Sequence, residues 1–128
     1  MKFVIEGRLP GLNEIIQTAR YNRYAGASQK KKETDRCKWA IIAGSVPHFR
    51  NPVEVSFTWF EKCLRRDPDN ISGGGTKFIL DALVELGRIP NDTRRWIKGI
   101  NHSFPEPDKE NPRVEVSIKE ILEGDLSK

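Results

Sequence analysis

Two aspartates separated by one proline are the residues in this sequence best suited to chemistry. Asp67, Pro68 and Asp69 are followed by Asn70 in a stretch too polar to belong to a core. If Pro68 holds this stretch extended, both carboxylates point to the same side, because alternate side chains of an extended chain share a face. Such a pair would repel, and Mg²⁺ or Mn²⁺ would relieve the repulsion. The alternative is a capping turn, since Asp-Pro and Asp-Asn are common turn dipeptides.

Cationic side chains are concentrated on either side of this acidic segment. Seven lysines and arginines lie between residues 20 and 38, opposed by two acids and interleaved with Tyr21, Tyr24 and Trp39. Cations beside rings that can stack suggest a nucleic-acid surface, and the alternative is a solvated basic face. The residues expected to contact phosphates are Arg20, Arg23, Lys30, Lys31, Lys32, Arg65, Arg66, Arg94 and Arg95.

A third acid and a glycine run complete the candidate segments. Asp92 follows Asn91 and precedes two arginines, and by itself this segment is typical of a turn. Residues 73–77 contain three glycines, a threonine and a lysine, but their order differs from that of a phosphate-binding loop, so no nucleotide cofactor is expected. The glycines instead suggest a flexible break between the acidic turn and the next helix.

Hydrophobic periodicity predicts the elements that must position these residues. Residues 2–7, 53–59, 94–102 and 113–118 alternate as strands do, and the second strand is expected to run on toward residue 63. Helices are predicted over residues 30–43 and 77–86, with a short helical turn at 12–18, an irregular segment at 21–29 and a helix or tail at 119–128. The order predicts a single small α/β (α+β) domain over residues 1–128, with a mixed β-sheet of about four strands and two main helices covering one face.

Composition excludes several classes of protein. The 128 residues carry a formal charge of +4, with 37% hydrophobic and 31% charged residues, and contain no apolar run that could span a membrane. The N-terminus is charged too early for a signal peptide, so a cytoplasmic location is expected. Two cysteines and two histidines lack metal-binding spacing, and we expect both cysteines to be reduced and buried.

Taken together, the motifs resemble those of the RusA family of Holliday-junction resolvases, in its Gram-positive bacterial and phage branch. The resemblance rests on residues 66–70, Lys77, Asp81 with the alanine and leucine after it, and the Asn91-Asp92 pair. Leu9-Pro10, Asn13 and the basic stretch from residue 20 to residue 32 are similar as well, so the likeness spans nearly the whole chain.

The resemblance implies a homodimeric, Mg²⁺-dependent endonuclease that nicks two strands of a four-way DNA junction symmetrically, in recombination and repair. Asp67, Asp69 and Asp92 would hold the metal, and Lys77 would stabilise charge on the phosphate. Asp81, one helical turn from Lys77, would orient the lysine through an ion pair, and Asn70 would orient a ligand or cap the next segment. A solvated helix residue is the alternative for Lys77.

Two departures from the family pattern keep other functions open. Extra residues around the glycine run separate Asp69 from Lys77, and Asn91 stands where the pattern has an acid. A module that binds branched DNA without cutting it is therefore one alternative. A metal-dependent nuclease acting on flaps or other DNA intermediates is another.

Overall fold

Alternating burial along the strands explains the sheet. In the computed structural model, which describes residues 1–122, every second side chain of β2 (Val53–Phe60) is buried, and the others are only partly covered. The same alternation occurs in β1 (Lys2–Glu6) and β4 (Arg113–Glu120), while β3 (Ile97–Ser103) is largely exposed. The strand order is β1-β4-β2-β3, with β2 and β3 parallel and the other pairs antiparallel.

Three helices pack with one another and supply the rest of the core. They are α1 (Leu12–Tyr21), α2 (Arg23–Ala43) and α3 (Pro68–Glu85). Sheet residues such as Phe57 and Val116 share a single buried cluster with α2 residues such as Ile41 and α3 residues such as Leu83. The prediction of one small domain with a four-stranded mixed sheet is confirmed, and α1 adds a third helix to the two that were expected.

Several predicted boundaries differ from the observed ones. Helix α2 begins at Arg23, because Asn22 breaks the chain in an extended conformation and its Oδ1 accepts a hydrogen bond from Ala25 N at 2.6 Å. Strand β2 ends at Phe60, β3 begins at Ile97 and β4 continues to Glu120. Of the predicted C-terminal helix or tail, residues 119 and 120 belong to β4, and residues 123–128 lie outside the described part of the chain.

The glycine run is helical, so the expected flexible break is wrong. Gly73, Gly74 and Gly75 lie inside α3, which continues without interruption from Pro68 to Glu85. A Cβ on Gly74 would lie 2.3 Å from Pro10 O, and one on Gly75 would lie 2.8 Å from the Trp59 ring. These glycines therefore allow α3 to pack closely against its neighbours, and that packing outweighs their low helix propensity.

Within residues 1–122, no helix is long and apolar enough to cross a membrane. Both cysteines are free, but only Cys37 is buried, and burial raises the pKa of its thiol to about 12. Cys63 is exposed because β2 has already ended at Phe60, so the expectation of two buried cysteines is wrong for Cys63.

Candidate functional site

The two leading aspartates lie at the N-terminus of α3. Asp67 is the N-cap, with an extended backbone (φ −77°, ψ 155°), Pro68 occupies the first helical position and Asp69 belongs to the first turn. The expected extended stretch is therefore wrong, because the fixed φ of proline is well suited to the first position of a helix. The unpaired N–H groups of a helix N-terminus favour anions, which places both carboxylates in a region that also attracts phosphate.

Neither carboxylate of this pair is engaged by the protein. Asp67 makes no capping hydrogen bond, and within residues 1–122 no hydrogen bond or ion pair is formed by the side chain of Asp67 or Asp69. Both residues are exposed. Their oxygens are therefore available to a ligand from solution.

Asn70 joins the start of α3 to the start of α1. Its Oδ1 accepts a hydrogen bond from Asn13 N at 2.9 Å, so an α3 side chain satisfies one of the free N–H groups in the first turn of α1. A Cβ on Gly11 would lie 3.0 Å from the Asn70 amide, which shows how closely the two helix ends approach. The expectation was a cap for the segment after Asn70, whereas Asn70 lies inside α3 and caps α1, which precedes it in the chain.

Lys77 lies between two carboxylates from different parts of the chain. Its Nζ is 2.6 Å from Asp92 Oδ2 and 3.1 Å from Asp81 Oδ1, so the expected i,i+4 contact is present. The hydrogen bond from Lys77 lowers the pKa of the Asp92 carboxyl, and the hydrogen bonds to Asp92 and Asp81 raise the pKa of Lys77. Lys30 Nζ also approaches Asp81, at 3.9 Å. This cluster links the middle of α2, the middle of α3 and the loop before β3.

The acids fall into two groups along α3. Lys77 follows Asp69 by eight positions, a rise of about 12 Å along a helix axis. In the part of the chain described, no three acidic, histidine or cysteine side chains are grouped closely enough to hold a metal ion. The structure thus brings Asp92 to Lys77 and Asp81, and places Asp67 and Asp69 at the start of α3, without joining the two groups.

The chemistry of the donors still fits a hard divalent cation. Asp67 and Asp69 offer carboxylate oxygens without protein partners, and Asp92 offers a carboxylate whose charged form Lys77 stabilises. For Asp92 to share a cation with Asp67 and Asp69, the two groups of acids must move together, and Asp92 must exchange the Lys77 ammonium for the cation. Asn91 cannot supply the missing acid, and its Oδ1 accepts a hydrogen bond from Thr93 N at 3.2 Å.

Cationic residues share a cleft with Asp67. A cleft of about 390 Å³ opens beside it. Its charged and polar lining consists of Arg8, Asn13, Glu14, Lys62, Arg65, Arg66, Asp67 and Asn70. Of these four cations, Arg65 and Arg66 were predicted from the sequence as phosphate contacts, whereas Arg8 and Lys62 were not. Lys62 lies in the same charged loop as Arg65 and could have been found there, whereas only the fold brings Arg8 to this cleft.

Arg66 supports the cleft from inside. Only 8% of its side chain is exposed, and its Nε and Nη2 donate to the two oxygens of Glu61 at 2.7 and 2.9 Å. Its Nη1 donates to Leu9 O and Glu14 Oε1, both at 3.0 Å. Because each of these nitrogens already has an internal acceptor, Arg66 fixes the loop before Asp67 to the start of α1, while Arg65 faces the cleft.

The other predicted phosphate contacts are spread over two further surfaces. Arg94 and Arg95 line a shallow groove with Lys98, which the sequence analysis missed, just before and at the start of β3. Five cations on α1 and α2 are exposed: Arg20, Arg23, Lys30, Lys31 and Lys32. Lys31 pairs with Asp35 at 2.9 Å, and only Lys30 of this group reaches the cluster around Lys77.

Comparison with known proteins gives no family for this chain. No family model matches it, and no curated protein is significantly similar to it. The contacts and charges described above therefore carry the functional argument.

Proposed function

We propose that this protein is a structure-specific endodeoxyribonuclease that resolves four-way DNA junctions by Mg²⁺-dependent hydrolysis of phosphodiester bonds. The observation that carries the proposal is the pair of free carboxylates at the N-terminus of α3, beside a cleft lined by Arg8, Lys62 and Arg65. Acids without protein partners next to cations suit a site that holds both a divalent cation and a phosphate.

Each residue of the site has a distinct part in this proposal. Asp67, Asp69 and Asp92 would hold Mg²⁺ (or Mn²⁺), which when bound activates water and neutralises charge on the phosphate. Lys77 keeps Asp92 ionised and near α3 until the cation is bound. The ammonium, still oriented by Asp81, is then free to stabilise negative charge on the phosphate or the leaving oxygen.

The surrounding residues would position the DNA. Lys62, Arg65 and Arg8 bind the phosphates beside the cleft, and the N–H groups at the start of α3 favour the same anions. Arg94, Arg95 and the lysines of α2 extend this contact along the arms of a junction. Arg66 and Asn70 hold the loop and the two helix ends in place.

Symmetric cutting requires two sites, so the proposal includes a homodimer. One domain of this size carries one such site, and a twofold axis would present two sites to the two strands that are cut. The proposed setting is DNA recombination and repair in the cytoplasm of a bacterium, encoded by the host, a phage or a prophage.

A synthetic junction with each strand labelled in turn tests the proposal. With Mg²⁺, the wild-type protein should produce paired symmetric nicks and should cut a flap or a plain duplex much less. Asp69→Asn should abolish cutting and leave binding equal or tighter, because it removes a metal ligand and a charge that repels phosphate. Glu110→Gln, at an exposed acid outside the site, is the matched control and should cut normally. Intact junctions with folded wild-type protein would contradict the proposal.

The Lys77–Asp92 ion pair favours one second candidate, a module that binds branched DNA without cutting it. In that case the Lys77–Asp92 ion pair persists when DNA binds, and Asp92 does not share a cation with Asp67 and Asp69. Tight junction binding without nicks in either Mg²⁺ or Mn²⁺ would select this function. Preferential cutting of flaps would instead select a nuclease with a different DNA substrate.

A further inference from the structure

A second groove, lined mainly by apolar residues, shares Asp67 with the cationic cleft. It has a volume of about 270 Å³, and Asp67 and Arg66 line both it and the cleft. Trp59 and Ile71, both almost fully buried, contribute apolar surface to the groove, and Leu64 and Phe104 lie at its exposed part. Leu64 is 81% exposed, so its apolar side chain is open to a ligand from solution.

Four stacked rings end at this groove. The His102 ring stacks against Phe57 at 5.1 Å, against Trp59 at 5.9 Å and against Phe104 at 6.3 Å between centroids. Trp59 Nε1 donates a hydrogen bond to His102 Nδ1 at 2.9 Å, so this donor and this acceptor satisfy each other. Phe104, 39% exposed, is the outermost ring of the stack and presents an aromatic surface to the groove.

Prolines give the rim a restricted backbone. Pro68, Pro105 and Pro107 all line the groove, and each has a nearly fixed φ. A ligand that enters therefore meets walls that lose little conformational freedom on binding, which favours affinity.

We infer that this groove binds one unstacked nucleobase of the DNA, from the nucleotide adjoining the phosphate held beside Asp67. The inference deepens the proposed function and rests on it. A nucleotide combines a charged phosphate with a flat apolar ring face, and the cationic cleft and the aromatic groove adjoin each other because Asp67 lines both. An apolar peptide segment would fill the groove but would make no use of the adjoining cations, so charge complementarity favours the nucleotide.

An abasic scan of a four-way junction tests the inference without relying on cleavage. Binding is measured in a metal chelator, with the base removed from one nucleotide at a time near the junction centre. At one position the missing base should weaken wild-type binding by at least about fivefold, the lower end of the range for loss of one base–aromatic stack. In Phe104→Ala, the same missing base should weaken binding by at most about twofold, because base and ring act as one coupled pair.

Matched variants separate stacking from a loss of structure. Phe104→Leu keeps apolar packing but has no ring, so the missing base should weaken its binding as little as in Phe104→Ala. Phe104→Trp keeps a ring and should show the same loss of binding for the missing base as wild type. Val4→Ala removes an exposed apolar side chain from β1 that does not line the groove, and it should leave that penalty unchanged. Thermal unfolding of each variant shows that it is folded in the assay.

Three outcomes would overturn the inference. Equal penalties for a missing base in wild type and in Phe104→Ala, at every position, would show that ring and base do not interact. No penalty at any position would show that the groove holds no base. In both cases a wild-type protein that still cuts junctions in Mg²⁺ would retain the proposed function, whereas failure to bind any junction would remove both proposals.

Discussion

At the scale of single residues, Lys77 has the most consequential contacts in the candidate site. One ammonium group is shared by Asp81 on its own helix and Asp92 on a loop fifteen residues away. It thereby neutralises an acid that the proposed function needs as a metal ligand. The strength of this pair decides how readily Asp92 exchanges lysine for a cation.

The titration of Asp92 should reveal this contact. Lys77→Met removes the hydrogen bond that lowers the pKa of Asp92, so that pKa should rise toward 3.8. Carbon-13 NMR titration of the Asp92 carboxyl measures the change. Lys32→Met, which removes an exposed lysine from α2, is the control and should leave the Asp92 titration unchanged. An unaltered Asp92 pKa in Lys77→Met would show that the pair does not persist in solution.

The same pair should contribute a small, pH-dependent stabilisation. The pKa of Asp92 is lower in the folded protein than the ordinary value of 3.8. Its contribution to stability is therefore fully present above pH 3.8 and is lost as the pH falls through the pKa of the folded state. The pKa of Lys77 is higher in the folded protein than the ordinary value of 10.5. Its contribution to stability is therefore fully present below pH 10.5 and is lost as the pH rises through the pKa of the folded state. Because 62% of the Lys77 side chain is exposed, we expect only about 0.5 kcal/mol at neutral pH.

Arg66 should matter far more for stability than the exposed arginine beside it. Arg66→Met leaves the nearly buried Glu61 carboxylate without its bidentate partner, which should lower the free energy of unfolding by about 3 kcal/mol. Urea denaturation measures the loss, and Arg65→Met should change it by less than about 0.5 kcal/mol. Adding Glu61→Gln to Arg66→Met should recover part of the loss, since no buried charge then remains unpaired. Equal effects of the two arginine variants would contradict this role.

At the scale of elements, the N-terminal half of α3 determines the geometry of the site. Gly74 faces the backbone of residues 10–12, whereas Gly73 faces outward, with only the Leu12 side chain at ordinary contact distance. Gly74→Ala should therefore destabilise the protein by at least about 2 kcal/mol, because backbone atoms at 2.3–2.7 Å must move. Gly73→Ala should stabilise it by about 0.5–1 kcal/mol through helix propensity.

Thermal or urea unfolding of the two alanine variants provides the comparison. They differ by one position and carry the same substitution, so each is the control for the other. A flexible glycine linker would tolerate both changes equally, and that result would contradict the continuous α3 helix.

The sequence predicted the elements that have strong hydrophobic periodicity. The alternation in β2 and β4 and the apolar face of residues 77–86 led to the mixed sheet and to the C-terminal half of α3, and both are observed. The N-terminal half of α3 was missed because glycine propensity opposes a helix there, and only the close packing against residues 9–12 and Trp59 reveals why glycine is needed.

The contacts within the candidate site were predictable only where they are local. The i,i+4 spacing of Lys77 and Asp81 gave their ion pair in advance. Arg8 lies in the same cleft as Asp67, and Arg66 donates a hydrogen bond to Leu9 O. Both contacts join residues more than fifty positions apart in the sequence. Such contacts are set by the tertiary fold, which leaves no periodic signal in the sequence.

At the scale of the whole molecule, surface charges form ion pairs on one face, whereas some cations in the cleft beside Asp67 have no such partner within residues 1–122. The sheet face opposite the helices carries acids paired with cations, such as Glu115 with Lys2 and Arg113. The cleft beside Asp67 instead contains cations without an ion-pair partner among the described residues, including Lys62 and Arg65. An approaching polyanion is therefore attracted to the cleft more strongly than to the sheet face.

The salt dependence of junction binding should distinguish these two surfaces. Lys62→Ala should weaken binding and reduce the log–log slope of affinity against salt by about 0.9, the value for one lost phosphate contact on duplex DNA. Lys119→Ala removes the same charge from the outer face of β4 and should leave the slope unchanged, because the proposed DNA contact does not include that face. Fluorescence anisotropy with a labelled four-way junction over a salt series measures both slopes. Equal slopes for the two variants would mean that net charge, rather than the cleft, attracts the DNA.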